Sequence, residues 1–327
     1  MVARKIILTA GYAILVTLTL LLFLATLAVK INHGAYSLAL LQIIILTGLI
    51  YECGREGFNT LNGNKLIENA FGIDDFYNFT AVALGALITY ILSVRMELGP
   101  VVAAGLTGMA AALVKPKYGV PAYCGAFVGM TCPKYLCNYS HILFAGAASG
   151  IIFIISKPFF KGFGGKLGTI AFAGCLFTGA VVKSPLQSFS VPGWDTGLLI
   201  LAYAAAGAVF TYLLNITLGY GPVLASGVTS LAGGILLPAI HGVTGNTLAV
   251  VIICSSFAGM SDKSRFRHTQ LMVIAGLFAG IVFMFSMPHM GGAGGKLGTI
   301  AFGSVIALRG ILNILGIIKL RFRKTIP

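Results

Sequence analysis

Acid is what this chain has least of. Its 327 residues hold eight Asp and Glu against 22 Lys and Arg, and all charged residues together make up 9%. Soluble domains carry about 25% charged residues, so an ordinary water-facing surface cannot be built from this sequence. The acids are Glu52, Glu56, Glu68, Asp74, Asp75, Glu97, Asp195 and Asp262, and hydropathy places none deep in an apolar run. Proton-driven carriers commonly hold a carboxylate inside the membrane, so a carboxylate-driven antiporter is not expected. Sodium held by backbone carbonyls of broken helices stays open. No G-x-S-x-G, H-E-x-x-H or Walker spacing occurs, so neither an enzyme nor a cofactor is expected. The six cysteines are Cys53, Cys124, Cys132, Cys137, Cys175 and Cys254. No paired His or acid accompanies Cys132 and Cys137, so a metal site is not expected there. Cys132 and Cys137 flank a short predicted outer loop, where a disulfide would fit.

What the chain has in abundance is apolar length. Hydrophobic residues make up 57%, with 43 glycines and a mean hydropathy of +0.96. The unbroken runs exclude a β-barrel, whose strands alternate over about ten residues. Glycine suits helices that pack closely in lipid. The fold class is therefore an all-α integral membrane protein. Twelve segments are predicted: 6–29, 36–51, 77–94, 98–114, 119–131, 141–156, 167–182, 197–218, 221–240, 247–260, 270–287 and 297–318. A span needs about 20 apolar residues, so 119–131 and 247–260 are short. The first run is longer than the ~7–15 residues of a signal-peptide core and reads as an uncleaved anchor helix. Segments 53–75 read as a polar cytoplasmic loop.

One phrase occurs twice. Residues 158–172 read PFFKGFGGKLGTIAF and 288–302 read PHMGGAGGKLGTIAF, identical at eleven of fifteen positions. Cys124, Phe127, Gly129 and Met130 recur 130 residues later as Cys254, Phe257, Gly259 and Met260. Thr89-Tyr90 and Gly99-Pro100-Val101 recur 122 residues later as Thr211-Tyr212 and Gly221-Pro222-Val223. The predicted organisation is two N-terminal helices and a cytoplasmic loop (1–76), a first five-segment repeat (77–182), a second (197–318) and a basic tail (319–327).

Charge sets a direction. With the N-terminus in the cytoplasm and every segment crossing, basic residues gather inside: Arg4 and Lys5, Arg55 and Lys65, Lys115 and Lys117, Lys157 to Lys166, Lys263 to Arg267, and Lys319 to Lys324. Lys30, Arg95, Lys134, Lys183 and Lys296 fall outside, and Arg309 lies within a helix. Such a bias orients the chain, both termini inside, and accounts for the +14 net charge without nucleic acid. Five segments is an odd number, so the second repeat is predicted to be inverted. Were the two short segments re-entrant, the copies would be parallel, but Lys157, Lys161 and Lys166 would move outside.

Inverted repeats frame a site near the bilayer midplane, marked by short or Gly-interrupted helices at equivalent positions. The glycine loops open helices, and helix N-termini attract negative charge. Candidate substrate-binding residues are Gly164, Gly165, Lys166 and Thr169 in one loop, Gly294, Gly295, Lys296 and Thr299 in the other, and Cys124, Gly129, Cys254 and Gly259 in the short segments. The alternative is that the glycines only allow close packing while the lysines reach the interface. His241 and His289 lie near the outer ends of spans, where either could titrate a pathway.

On Gly99-Pro100 and the run from Gly291 to Gly295, the chain resembles a family of bacterial multi-pass membrane proteins without known function. In architecture it is similar to five-plus-five inverted-repeat transporters and channels such as urea channels, without a urea-channel signature. That likeness implies transport and says nothing of cargo. With no acid expected deep in a span, the expectation is a transporter or channel for a small neutral or anionic solute in the cell membrane, with the bilayer and the solute as partners. Assembly with copies of itself is compatible with the sequence. The alternatives are a non-transporting membrane scaffold or partner subunit and, further off, a membrane-embedded enzyme.

Overall fold

The computed structural model describes residues 2–62 and 72–325. Twelve helices follow one another, with no strand among the described residues: α1 Val2–Asn32, α2 Tyr36–Leu61, α3 Ile73–Tyr90, α4 Gly99–Val114, α5 Pro116–Gly129, α6 Tyr139–Ser156, α7 Lys166–Val181, α8 Trp194–Tyr212, α9 Pro222–His241, α10 Val243–Gly259, α11 Gln270–Ser286 and α12 Lys296–Thr325. Single π-helical turns, Ile91–Arg95 and Leu213–Thr217, extend α3 and α8.

Seven of these helices are long and apolar enough to cross a membrane: α1, α2, α3 and α8 with their π turns, α6, α9 and α12. Helices α4, α7, α10 and α11 are apolar but shorter. Helix α5 has 14 residues, about 21 Å at 1.5 Å per residue. Large apolar side chains face outward along the long helices, among them Leu40, Ile43 and Ile44 on α2, Leu198 on α8, and Ile235 and Leu236 on α9. Soluble monomers rarely expose such continuous apolar surface; these are the faces of a membrane-embedded protein.

Small residues set the helix crossings. Gly85 lies against the Ala122 carbonyl and Gly125 against Val82 where α3 meets α5; Gly207 lies against Ile252 where α8 meets α10. Side-chain bonds recur at the repeat offsets. Thr89 donates to Thr107 and Thr211 to Thr229, each at 2.8 Å. The Tyr90 hydroxyl donates to the Leu136 carbonyl at 2.9 Å, and the Tyr212 hydroxyl to Phe266. Equivalent residues of the two copies thus have equivalent partners.

Helix α4 also crosses its own counterpart, α9. Gly105 faces Gly227 and Leu231, Gly227 faces Met109, and Gly234 faces Val102. Numbers rise along one helix as they fall along the other, so the two run antiparallel.

The N-terminal pair departs from the sequence reading. Helix α2 does not end at residue 51 but continues to Leu61, so residues 53–61 are helix rather than loop. Residues 63–71, with Lys65 and Glu68, lie outside the described residues, as do residues 326 and 327; the predicted tail is a helical extension as far as Thr325. Along the extension, Glu52 and Glu56 are buried, contrary to the expectation that no acid lies deep in a span. They are tolerated because distant residues supply partners: Asn313 donates to Glu52 at 2.6 Å, and the Arg265 guanidinium pairs with Glu56. Lys30 is likewise no loop residue. It lies fully buried in the last turn of α1, donating to Gln42 Oε1 at 2.6 Å, while Gln42 donates to the Phe23 carbonyl. Cys132 and Cys137 carry free thiols rather than a disulfide.

Candidate functional site

The repeated phrase connects α6 to α7 and α11 to α12. In each copy the chain turns at a glycine of positive φ, +80° at Gly165 and +86° at Gly295, a conformation that side-chain-bearing residues seldom adopt. Each loop is held by the other copy. The Gly164 amide donates to Ser261 Oγ, just past α10, and the Gly294 amide to Thr131 Oγ1, just past α5, both at 3.1 Å. Return bonds run from the Asp262 amide to the Gly162 carbonyl and from the Cys132 amide to the Gly292 carbonyl, both at 2.9 Å.

Helices α7 and α12 start from these loops and cross at once. Gly165 faces Phe302, Gly168 faces Gly298, and Gly295 faces Phe172. They too run antiparallel, overlapping only along their first two turns. A methyl group on either Gly168 or Gly298 would lie 2.5 Å from the Cα of the other. Two helix N-termini, each carrying about half a positive charge, therefore lie side by side inside the protein.

The two lysines face a different task from the one expected. Lys166 Nζ donates to the Ser156 and Phe159 carbonyls, both at 2.7 Å. Lys296 Nζ donates to the Ser286 and His289 carbonyls, both at 2.6 Å. Each ammonium thus closes the C-terminal end of the preceding helix, where the dipole is negative. Neither extends to an interface. An ammonium has three donors, and these bonds use two.

Against each loop lies a cavity, of about 360 Å³ beside the first and about 310 Å³ beside the second. The two are counterparts. Val120, Phe153, Lys157, Met260, Asp262 and Pro222 line the first where Val250, Phe283, Met287, Met130, Cys132 and Pro100 line the second. Residues 164–167 line the first and residues 294–297 the second, so both cavities meet first-turn amides that have no carbonyl within their own helix. No residue lines both.

Charge divides them. The first holds Lys157, Lys161, Lys166 and Asp262 with Asn215; the second holds Lys296 alone among charged residues, with Gln187 and Ser286. Lys157 pairs with Asp75. The Ser264 side chain and amide hydrogen-bond the Asp262 carboxyl and hold it below the usual carboxylate range. Glu52 and Glu56 line neither cavity.

Of the sequence candidates, Gly164, Gly165, Lys166, Gly294, Gly295 and Lys296 are gathered at these walls. The others are not. The Cys124 and Cys254 thiols are buried and donate to the Leu167 and Leu297 carbonyls, both at 3.3 Å. Gly129 packs against Ala86 and Thr89, and Gly259 against Ala208 and Thr211. Thr169 and Thr299 are fully buried, and neither hydroxyl oxygen has a partner. His241 bonds Tyr203 at 2.7 Å, and neither His241 nor His289 lines a cavity.

Sequence reasoning missed the aromatic centre. Phe127 and Phe257, themselves repeat counterparts, lie with ring centroids 4.4 Å apart, and Tyr123 lies 4.4 Å from Phe127. Their equal spacing in the two copies was the available signal. Compared with protein families, with curated proteins and with solved structures, the chain matches none. What fold and site define is an all-helical membrane-embedded protein with a pair of counterpart cavities.

Proposed function

We propose that the protein passes a small neutral or anionic solute across the cell membrane, between two five-helix halves inverted relative to each other, with both termini in the cytoplasm. The observation that carries this reading is the pair of counterpart cavities, each at the start of a helix that begins inside the protein. Antiparallel crossings of α4 with α9 and of α7 with α12 support inversion, since equivalent helices related by an axis along the membrane normal would cross parallel. Inversion turns the two cavities toward opposite faces, with the lysine-rich one inside, as the positive-inside rule favours.

The chemistry of the walls supports the cargo class. First-turn amides, two positive helix ends and lysines offer donors and positive potential; Asp262 is the lone carboxylate in either lining. Past Asp262 a cation meets no further acid in either lining, while a carbonyl oxygen or a single negative charge meets donors in both.

Proteoliposomes test this against a panel of small anions and neutral amides and polyols. At least one solute is expected to move faster than into empty liposomes. Lys166→Met and Lys296→Met should each cut that flux about tenfold, because each strips two buried carbonyls of their donor beside the loop, about 1–3 kcal/mol apiece. Lys134→Met, at an exposed lysine that lines neither cavity, should change it little. A panel that moves no faster than in empty vesicles, or unaltered flux in both loop variants, would sink the proposal.

A further inference from the structure

We infer that the Phe127 and Phe257 rings are the gate and size filter of this passage, the point at which a small uncharged or singly negative solute is admitted; this rests on the passage proposed above. Both rings are 1% exposed, and they touch each other across the join between the two halves. The second cavity reaches both of them, whereas neither ring lines the first. The glycine loops close in on the same helices from either side. Gly164 abuts the Phe257 carbonyl and Gly294 the Phe127 carbonyl, leaving no room there for any side chain. The rings therefore stand between the two loops, and a solute moving from one cavity to the other has to part them.

The backbone around the rings is fixed. Gly125 and Gly129 press on α3, and Gly259 presses on α8, so the short helices cannot shift without separating close-packed chains. Opening is left to rotation of the two side chains. On one flank the rings meet a buried hydroxyl chain: Tyr123 Oη to Ser226 Oγ at 2.9 Å, then Ser226 Oγ to Ser256 Oγ at 2.8 Å. Its counterparts in the other copy are Ile253, Ala104 and Ala126. One flank of the gate is thus polar and the other apolar. A solute with one hydrogen-bonding edge fits that contrast, while a hydrated cation finds no carboxylate at the rings to replace its water.

The test compares wild type, Phe127→Ala, Phe257→Ala and the double variant in proteoliposomes, using neutral amides and polyols of increasing size and monovalent anions. Each single variant is expected to raise flux about tenfold, the scale on which removing a buried aromatic contact changes a rate, and to admit larger solutes. Flux in the variants alone, with a silent wild type, overturns the passage and the gate with it. Wild-type flux with unchanged rate and size limit in every variant overturns the gate and leaves the passage standing; no flux in any protein overturns both. Should the alanine variants fail to fold, Phe257→Cys in a Cys132→Ser, Cys137→Ser background carries the test. An impermeant methanethiosulfonate reagent should reach it from the second cavity's face, with or without slower reaction from the first through the opened gate. Reaction from the first cavity's face only, or from neither face, overturns the assignment.

Discussion

Gly168→Val and Gly298→Val are each expected to leave almost no folded protein. The two glycines meet Cα to Cα where α7 crosses α12, and even a methyl group on one would sit 2.5 Å from the Cα of the other. The obstacle is backbone, which cannot swing aside as a side chain can. To admit valine the helices must move apart, and the crossing is pinned nearby: Gly165 lies against Phe302 and Gly295 against Phe172. Overpacking a core typically costs about 1–3 kcal/mol, and a backbone clash at a crossing belongs at or above the top of that range. Size-exclusion profiles in mild detergent would read the effect as lost monodisperse protein. Gly54→Ala is the control. A methyl there meets nothing within 4 Å, and alanine favours helix over glycine by about 0.5–1 kcal/mol, so that variant should be as stable as wild type or slightly more so.

Arg265→Ala is expected to cost about 1.5–3 kcal/mol, the scale of a hydrogen bond to a charged group and below that of stripping one partner from a fully buried ion pair. Its guanidinium pairs with Glu56, donates from Nε to the Lys161 carbonyl at 2.9 Å and lies over the Phe163 ring. Side-chain exposure is 19% for Arg265 and 11% for Glu56, so the lone carboxylate would stay largely out of water. Thermal unfolding in detergent should show a large drop for Arg265→Ala and a partial return in Arg265→Met with Glu56→Leu, which removes the orphaned charge. Equal stability of the single and double variants would contradict this account. Lys161, Gly162 and Phe163 also form part of the first cavity's wall. Arg265→Ala should therefore loosen that cavity and leave the second unaffected. The counterpart position in the other copy is Tyr135, which packs on Gly179 and Gly292 instead of pairing with an acid.

Much of the fold was legible because lipid solvation makes apolar length a direct record of helices. Each of the twelve predicted segments corresponds to a helix, and the recurrence of Thr89-Tyr90 as Thr211-Tyr212 anticipated matching bonds. Failure came where a polar residue was satisfied from far away. Glu52 read as lying just past the second segment and Glu56 as a cytoplasmic-loop residue, because their partners, Asn313 and Arg265, stand 261 and 209 residues away. Lys30 read as an outer-loop residue because nothing in its own segment announces Gln42. At the site, duplication marked the glycine loops, but spacing cannot say where a lysine's ammonium goes. Both turn back onto the helix they follow. Phe127 and Phe257 were visible as a matched pair, yet only the crossing of the halves brings residues 130 apart in sequence to within 4.4 Å.

The claim on which the rest depends is that the two counterpart cavities open to opposite faces. Cys132 lines the second, and its counterpart Asp262 lines the first. One protein would keep Cys132 with Cys137→Ser; the other would carry Asp262→Cys with Cys132→Ser and Cys137→Ser. An impermeant thiol reagent applied to sealed right-side-out and inside-out vesicles should label Cys132 from the outer face only and residue 262 from the cytoplasmic face only. Labelling of both from the same face would contradict the inverted arrangement and, with it, a passage running between the two cavities.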